Sequence, residues 1–280
     1  MTKPSPYFMS PYSLYIYICI RLRHTRCKFM YLCTILNFRH CLMSELSKSF
    51  SFITEPMTDD VSRRLSWHTL GHQLLDCAGR HATAHGFGYQ ALARDHRVWV
   101  VSRIVMELNA RPSTGEPYSI ETFINRIYRQ FTDRMFVIRG EDTIYGYAFS
   151  TWAVINYDTR QPVLLDGPVF APMAELMTDR TVPIDPPARI RVKSTEPVAT
   201  HRVAFSDLDR NGHMNSIRYI DILLDAATAA PSQSMRRIDI SYAREALFGD
   251  TLYIFREGNN YEIRLQDGTV AVRAALTPAE

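Results

Sequence analysis

The spacing of apolar residues changes from helical to alternating twice along this chain, in the same order each time. Trp67, Leu70, Leu74 and Ala78 fall on one helical stripe. The next segments read as strands: RVWVVSRIVMEL (97–108), long and β-branched, then PYSIETFINRIYRQFTDRMFVIR, a turn near Gly140, and TIYGYAFSTWAVINY. A second stripe follows at Ile217, Ile220, Leu224 and Ala227, with Arg218, Asp221 and Asp225 on the opposite side. Behind it come RRIDISY (236–242), TLYIFRE (251–257), then YEIRLQ and TVAVRAAL, joined by the hairpin dipeptide Asp267–Gly268. One long helix followed by an antiparallel run, twice over, predicts an α+β fold of two tandem units, each a helix wrapped in sheet. Residues 166–200, with prolines at 168, 172, 183, 186, 187 and 197, read as the linker between them.

The two units share a diverged repeat. LLDCAGRHA (74–82) resembles LLDAATAAP (223–231) at an offset of 149. The same offset sets Asp60 against Asp209, Ser62 against Asn211 and Arg64 against His213, so each copy runs from a polar turn into its helix. Downstream, RPSTGEPYSI (111–120) resembles EALFGDTLYI (245–254) at an offset of 134, which sets Arg111 against Glu245.

Composition changes the picture at the N-terminus. Residues 1–42 contain no Ala, Gly, Val, Asp or Glu, yet hold four of the five cysteines (Cys19, Cys27, Cys33, Cys41) and six Lys/Arg. Taking those six from the total of 32 leaves 26 basic against 29 acidic residues, a net charge of −3. The basic overall balance is therefore no argument for a nucleic-acid partner. The apolar run Leu14 to Ile20 is too short to span a bilayer and ends without a small-residue cleavage site. We expect this extension to be disordered or foreign to the native protein, with Met43 as the natural start. After Met43 only Cys77 remains, which excludes a disulfide framework and a CxxC zinc site and fits a reducing cytoplasm.

The densest chemistry lies in VAFSDLDRNGHMNSIRYIDILLD (203–225). Asp209, Asn211 and His213 put a carboxylate, an amide and an imidazole just before a helix whose first N–H groups suit a developing oxyanion. Singly, each has a plain reading: Asp209 as a turn or capping residue, Asn211–Gly212 as a turn, His213 as a structural histidine, Glu245 as a surface carboxylate. His68, His72 and Asp76 share a side of the first helix and His81 lies four residues before His85, but a polar helix face explains them better than a metal. The chain has no GxSxG, HExxH, P-loop or GxGxxG.

SDLDRNGHMNSIRYI (206–220) resembles the signature of the acyl-ACP thioesterases, with Met214 and Ser216 in place of the usual Val and second Asn. ISYAREALFGDTL (240–252), VWVVSR (98–103) and STWAVINYDTRQPVLL (150–165) also resemble family sequence, and the likeness covers roughly residues 50–277 in the manner of the bacterial branch. It implies two hot dog folds in one chain: residues 43–165 binding the acyl chain, 166–200 as linker, and 201–280 carrying catalysis. It implies hydrolysis of fatty acyl-ACP to free fatty acid without metal or organic cofactor, by the set Asp209, Asn211, His213 and Glu245. Glu245 would activate water, Asn211 orient the water or carbonyl, His213 polarise the thioester or relay a proton, and Asp209 hold His213 or the loop. N–H groups near Asn215 would complete the oxyanion site. Plant members often carry Cys after the Glu; here Ala246 stands there, so a thiol nucleophile is missing.

The implied partner is the acidic acyl carrier protein, for which Arg189, Arg191, Lys193, Arg202, Arg236 and Arg237 form a candidate docking patch. Acyl-CoA hydrolysis at the same site and silent acyl binding stand as alternatives. Pairing through exposed sheet edges into a homodimer is left open.

Overall fold

The computed structural model describes residues 46–227 and 235–279; the N-terminal extension of residues 1–42 lies outside them. The first half runs β1 (Ser47–Ile53), α1 (Trp67–Ala84), α2 (Tyr89–Ala93), β2 (Arg97–Leu108), β3 (Pro117–Tyr128), β4 (Phe131–Arg139), β5 (Ile144–Asn156) and β6 (Pro162–Val163). A short helix α3 (Ala171–Glu175) follows. The second half runs β7 (Ala199–Arg202), α4 (Arg218–Ala227), β8 (Met235–Tyr242), β9 (Thr251–Glu257), β10 (Asn260–Arg264) and β11 (Val270–Pro278). The plan is the expected α+β arrangement of helix and antiparallel sheet, twice.

Both halves contribute to one sheet, in the order β1-β3-β4-β5-β2-β8-β11-β10-β9-β7, with β6 on β5. The seam is the antiparallel pair β2–β8, from Arg103 opposite Ser241 to Glu107 opposite Arg237. Glu107 crosses it to Arg236 at 2.6 Å and Arg237 at 2.5 Å. Arg237, 12% exposed and also 3.5 Å from Asp239, is thereby withdrawn into the fold, while Arg236 pairs with Glu107 but stays 45% exposed. Arg189, Arg191, Lys193 and Arg202 remain exposed.

Helix α1 starts at Ser66, whose hydroxyl accepts from the Thr69 N–H at 3.0 Å. Trp67, Leu70, Leu74 and Ala78 are all buried on the face that meets the sheet. Helix α4 buries Tyr219, Ile220, Ile222, Leu223 and Ala227. Leu223 replaces the expected Leu224 at the centre of its apolar arc, because the arc is wider than one stripe and is centred away from Asp221 and Asp225. The two helices touch closely at Gly71, where an added Cβ would lie 2.9 Å from Ile217 Cδ1. His68 on α1 reaches Asp221 on α4 at 2.7 Å, so this imidazole is held by the opposite helix and not by its own helix neighbours. One core cluster spans both helices and the inner faces of both sheet halves.

The region read as a linker also packs. Met173, Leu176, Val182, Ile190 and Val192 are buried. The Ala188 N–H donates to Asp239, a fully buried seam carboxylate that burial raises above the usual range despite Arg103 and Arg237.

Candidate active site

The repeat seen in the sequence is a repeat of hydrogen bonds. In the first copy the Asp60 N–H donates to the Arg64 carbonyl at 2.9 Å, and Asp60 Oδ1 accepts from the Ser62 N–H at 2.9 Å. In the second the Asp209 N–H donates to the His213 carbonyl at 2.7 Å, and Asp209 Oδ1 accepts from the Asn211 N–H at 2.7 Å. Each turn then pairs with the chain before the next strand: Arg64 bridges Ser113 in one copy, His213 bridges Leu247 in the other. The Met214 N–H donates to the Ala246 carbonyl at 2.9 Å, as that of Leu65 does to Pro112 at 2.9 Å. This pairing brings Glu245 beside the turn although 32 residues separate it from His213.

The side chains make the two copies chemically different. His213 Nε2 lies 3.5 Å from Glu245 Oε2, with Glu245 about two-fifths exposed. The equivalent of Glu245 is Arg111, a buried guanidinium that pairs with Asp60 and donates to the Leu65 carbonyl at 2.9 Å and the Ser62 hydroxyl at 3.0 Å. Burial opposes ionisation of Asp60, but the bonds from Ser62 and Arg111 outweigh it and hold that carboxyl below its usual range. One copy is locked by an internal ion pair; the other presents an imidazole and a carboxylate to solvent.

Asp209 does not touch the His213 ring. Its carboxylate accepts from the N–H groups of Asn211 and His213, at 2.7 and 3.2 Å, and from the Asn211 amide at 3.3 Å. It therefore fixes the turn and the direction in which Asn211 and His213 leave it. Gly212 completes the turn at φ +78°, a left-handed conformation that favours glycine. Of the N–H groups near Asn215, that of Asn215 itself is spent on the Asp207 carbonyl at 2.8 Å. Among the described residues the Ser216 N–H, one position on, has no acceptor and is an open donor at this helix start. Asp207 anchors the same helix start. It is buried, and although burial raises its pKa, the Ala204 N–H, His201 and Arg218 hold it lower than usual.

Sequence reasoning missed Arg160. It belongs to the first half, in the turn after β5, yet its guanidinium pairs with Glu245. Its backbone is left-handed at φ +59°, and Asn156 stabilises the turn by accepting from the N–H groups of Asp158 and Thr159. The only sequence signal was its place in the Asp-Thr-Arg-Xaa-Pro stretch.

Beside the turn opens a cavity of about 260 Å³, walled by Leu75 and Ala78 of α1, Trp99 of β2, Arg134 of β4 and Trp152 of β5. The exposed Asn211 also lines it. There Arg210 lies over the Tyr89 ring, 4.3 Å from its centroid, and donates to the Tyr89 hydroxyl at 3.1 Å. The cavity is thus built by the first half and reached past a residue of the second.

The chain is similar to known proteins along most of its length. Residues 48–173 match the acyl-ACP thioesterase N-terminal domain, and residues 191–275 match the acyl-ACP thioesterase C-terminal domain. An acyl-ACP thioesterase from Bacteroides thetaiotaomicron is 37% identical, with a TM-score of 0.78 over 85% of this chain and 99% of that one. A 12:0-ACP thioesterase from Umbellularia californica, 16% identical, shares the fold with a TM-score of 0.74 over 84% of this chain and 97% of that one. A chloroplastic oleoyl-acyl carrier protein thioesterase from Coriandrum sativum is 25% identical over 74% of this chain, which spans only 61% of that relative's length.

Proposed function

Because the chain belongs to the acyl-ACP thioesterase family, we propose that it hydrolyses a fatty acyl thioester on acyl carrier protein to free fatty acid and the carrier thiol. The observation that carries the reading is the 3.5 Å approach of His213 to Glu245, on the same turn as Asn211, which lines a largely apolar cavity.

The residues divide the work as follows. The acyl chain enters the cavity past Asn211, which leaves the thioester carbonyl between Asn211, His213 and the Ser216 N–H. One water can contact both His213 Nε2 and Glu245 Oε2 at their observed separation. Glu245 removes a proton from that water as its oxygen bonds to the carbonyl carbon. The negative charge passes to the carbonyl oxygen, where the Ser216 N–H and the Asn211 amide stabilise it. The C–S bond then breaks, and the thiolate takes the proton back, with His213 as relay. A thiol of pKa about 8.5 leaves without strong acid assistance. Arg160 orients the Glu245 carboxylate, and Asp209 orients Asn211 and His213 through their backbone.

In this reading residues 43–165 shape the acyl site and residues 201–280 carry the chemistry. The exposed Arg189, Arg191, Lys193 and Arg202 face the acidic carrier, so kcat/KM on acyl-ACP should fall as salt rises. The lone cysteine after Met43 suits a cytoplasmic enzyme, and no helix among the described residues is long and apolar enough to cross a membrane.

A panel of acyl-ACP and acyl-CoA substrates with a free-thiol readout tests the proposal. Glu245→Gln and His213→Ala should each lower turnover at least about a hundredfold. Unchanged turnover in either variant removes that residue from the mechanism. Faster release from acyl-CoA would replace the carrier-protein substrate, and binding without thiol release would make the protein a silent acyl binder.

A further inference from the structure

The cavity contains one group that thioester hydrolysis does not use. Arg134 on β4 lines it and is only 4% exposed. Its Nη1 lies 3.1 Å from His81 Nδ1 and 3.3 Å from the Thr122 hydroxyl. Burial, with the charges of Arg134, His85 and Lys48, pushes His81 down to about 3, so its ring is neutral and Nδ1 can accept. Burial lowers the Arg134 guanidinium only to about 10, so it stays charged at neutral pH. Nε and Nη2 have no acceptor among the described residues, and no carboxylate lies against them.

This is unusual inside the same molecule. Arg111, the other buried arginine among the described residues, is matched by Asp60. The other donors of the cavity wall are also satisfied. The Trp99 N–H donates to the Phe87 carbonyl at 2.9 Å, the Trp152 N–H to the Ser150 hydroxyl at 2.8 Å, and the Thr132 hydroxyl to the Arg126 carbonyl at 3.0 Å. A plain hydrocarbon chain laid against Arg134 would bury a charge and leave its free N–H groups without partners, a costly arrangement. An oxygen atom on that chain would remove the cost.

We infer that Arg134 is an oxygen-binding subsite within the acyl cavity, and that this protein selects acyl groups carrying a hydroxyl, oxo or carboxylate oxygen away from the thioester. The inference rests on the thioesterase reading and narrows its substrate class. His81 and Thr122 act as positioning residues that fix the guanidinium so that its other edge faces the substrate.

The test compares kcat/KM for length-matched thioesters, unsubstituted, hydroxy, oxo and ω-carboxy, on the full chain. At least one oxygenated series should exceed its unsubstituted counterpart by about tenfold or more, the scale of one hydrogen bond to a charged group. In Arg134→Met that ratio should collapse to about one. Oxygenated substrates that never exceed their counterparts, or a preference that survives in Arg134→Met, would overturn the inference. The wild-type ratio decides the matter even if the variant does not fold. Thermal shifts of the wild-type protein with free hydroxy, oxo, dicarboxylic and unsubstituted fatty acids give a readout independent of turnover. If no thioester releases thiol, the hydrolase reading falls, while a larger shift with any oxygenated series would still support Arg134 and equal shifts with all of them would still remove it.

Discussion

The two copies of the turn predict opposite consequences for substitution at one equivalent position. Arg111→Ala removes a buried guanidinium, 8% exposed, from the Asp60 carboxylate, the Leu65 carbonyl and the Ser62 hydroxyl. It also removes a cation from over the Trp67 ring. Breaking one side of a buried ion pair costs about 3–5 kcal/mol, because the abandoned charge stays desolvated. Asp60 is about one-third exposed, so water relieves part of the cost, and about 3 kcal/mol is the better figure. For a folded unit of this size that lowers Tm by about 6–12 °C. Glu245→Gln, at the equivalent position, breaks a pair in which Glu245 and Arg160 are 42% and 41% exposed. Exposed pairs contribute about 0–1 kcal/mol, so Tm should stay within about 3 °C of wild type. Thermal unfolding of both variants, with thiol release measured in parallel, separates the roles. Arg111→Ala should unfold early and keep its turnover while folded; Glu245→Gln should keep its stability and lose its turnover. An Arg111→Ala protein that melts within about 3 °C of wild type would refute the idea that this position was traded for stability.

Two other outcomes follow from buried groups. Cys77 is fully buried, and burial raises its thiol to about 12, so iodoacetamide at pH 8 should leave thioesterase activity intact; complete inactivation would contradict a water-based mechanism. His81 falls from an ordinary 6.5 to about 3 in the folded state, so the unfolded chain binds the extra proton. Its contribution to stability is present above about pH 6.5 and is lost as pH falls toward 3; urea midpoints across that range should fall less steeply in His81→Gln than in wild type, and parallel curves would exclude the residue.

Legibility followed the range of the interaction. The strand Arg97–Leu108 and the strand Thr251–Glu257 have the bounds that alternation predicts, and Gly268 takes φ +83° in the predicted hairpin. The relation between Arg111 and Glu245 was readable because a repeat converts sequence offset into spatial equivalence. The edge strands Ser47–Ile53 and Ala199–Arg202 were not anticipated; the first alternates serine with phenylalanine, and the second is only four residues long. Arg160 was hidden because a left-handed turn, not a periodicity, aims it at Glu245. Which N–H near Asn215 stays open was not readable, because the acceptor of the Asn215 N–H, the Asp207 carbonyl, belongs to a loop whose path no pattern reveals. Arg134 was invisible for a different reason. A charged residue in a strand reads as solvent-facing, and only the position of α1 over β4 makes that face an interior.

The seam explains why one chain can hold two unequal copies. Glu245 takes its arginine from the first half, Arg210 covers Tyr89 across the halves, and His68 reaches Asp221 between the helices. Each contact joins a residue of one copy to a different residue of the other, so none depends on the two copies being alike. In an assembly of identical units, a change from Glu245 to arginine would remove the carboxylate from every site at once. Fusion through β2–β8 uncouples the copies: Arg111 can lock one turn against Asp60 while Glu245 keeps the other chemically open. The first half, released from catalysis, is then free to vary the walls of the cavity, and Arg134 is where that freedom has left a charge.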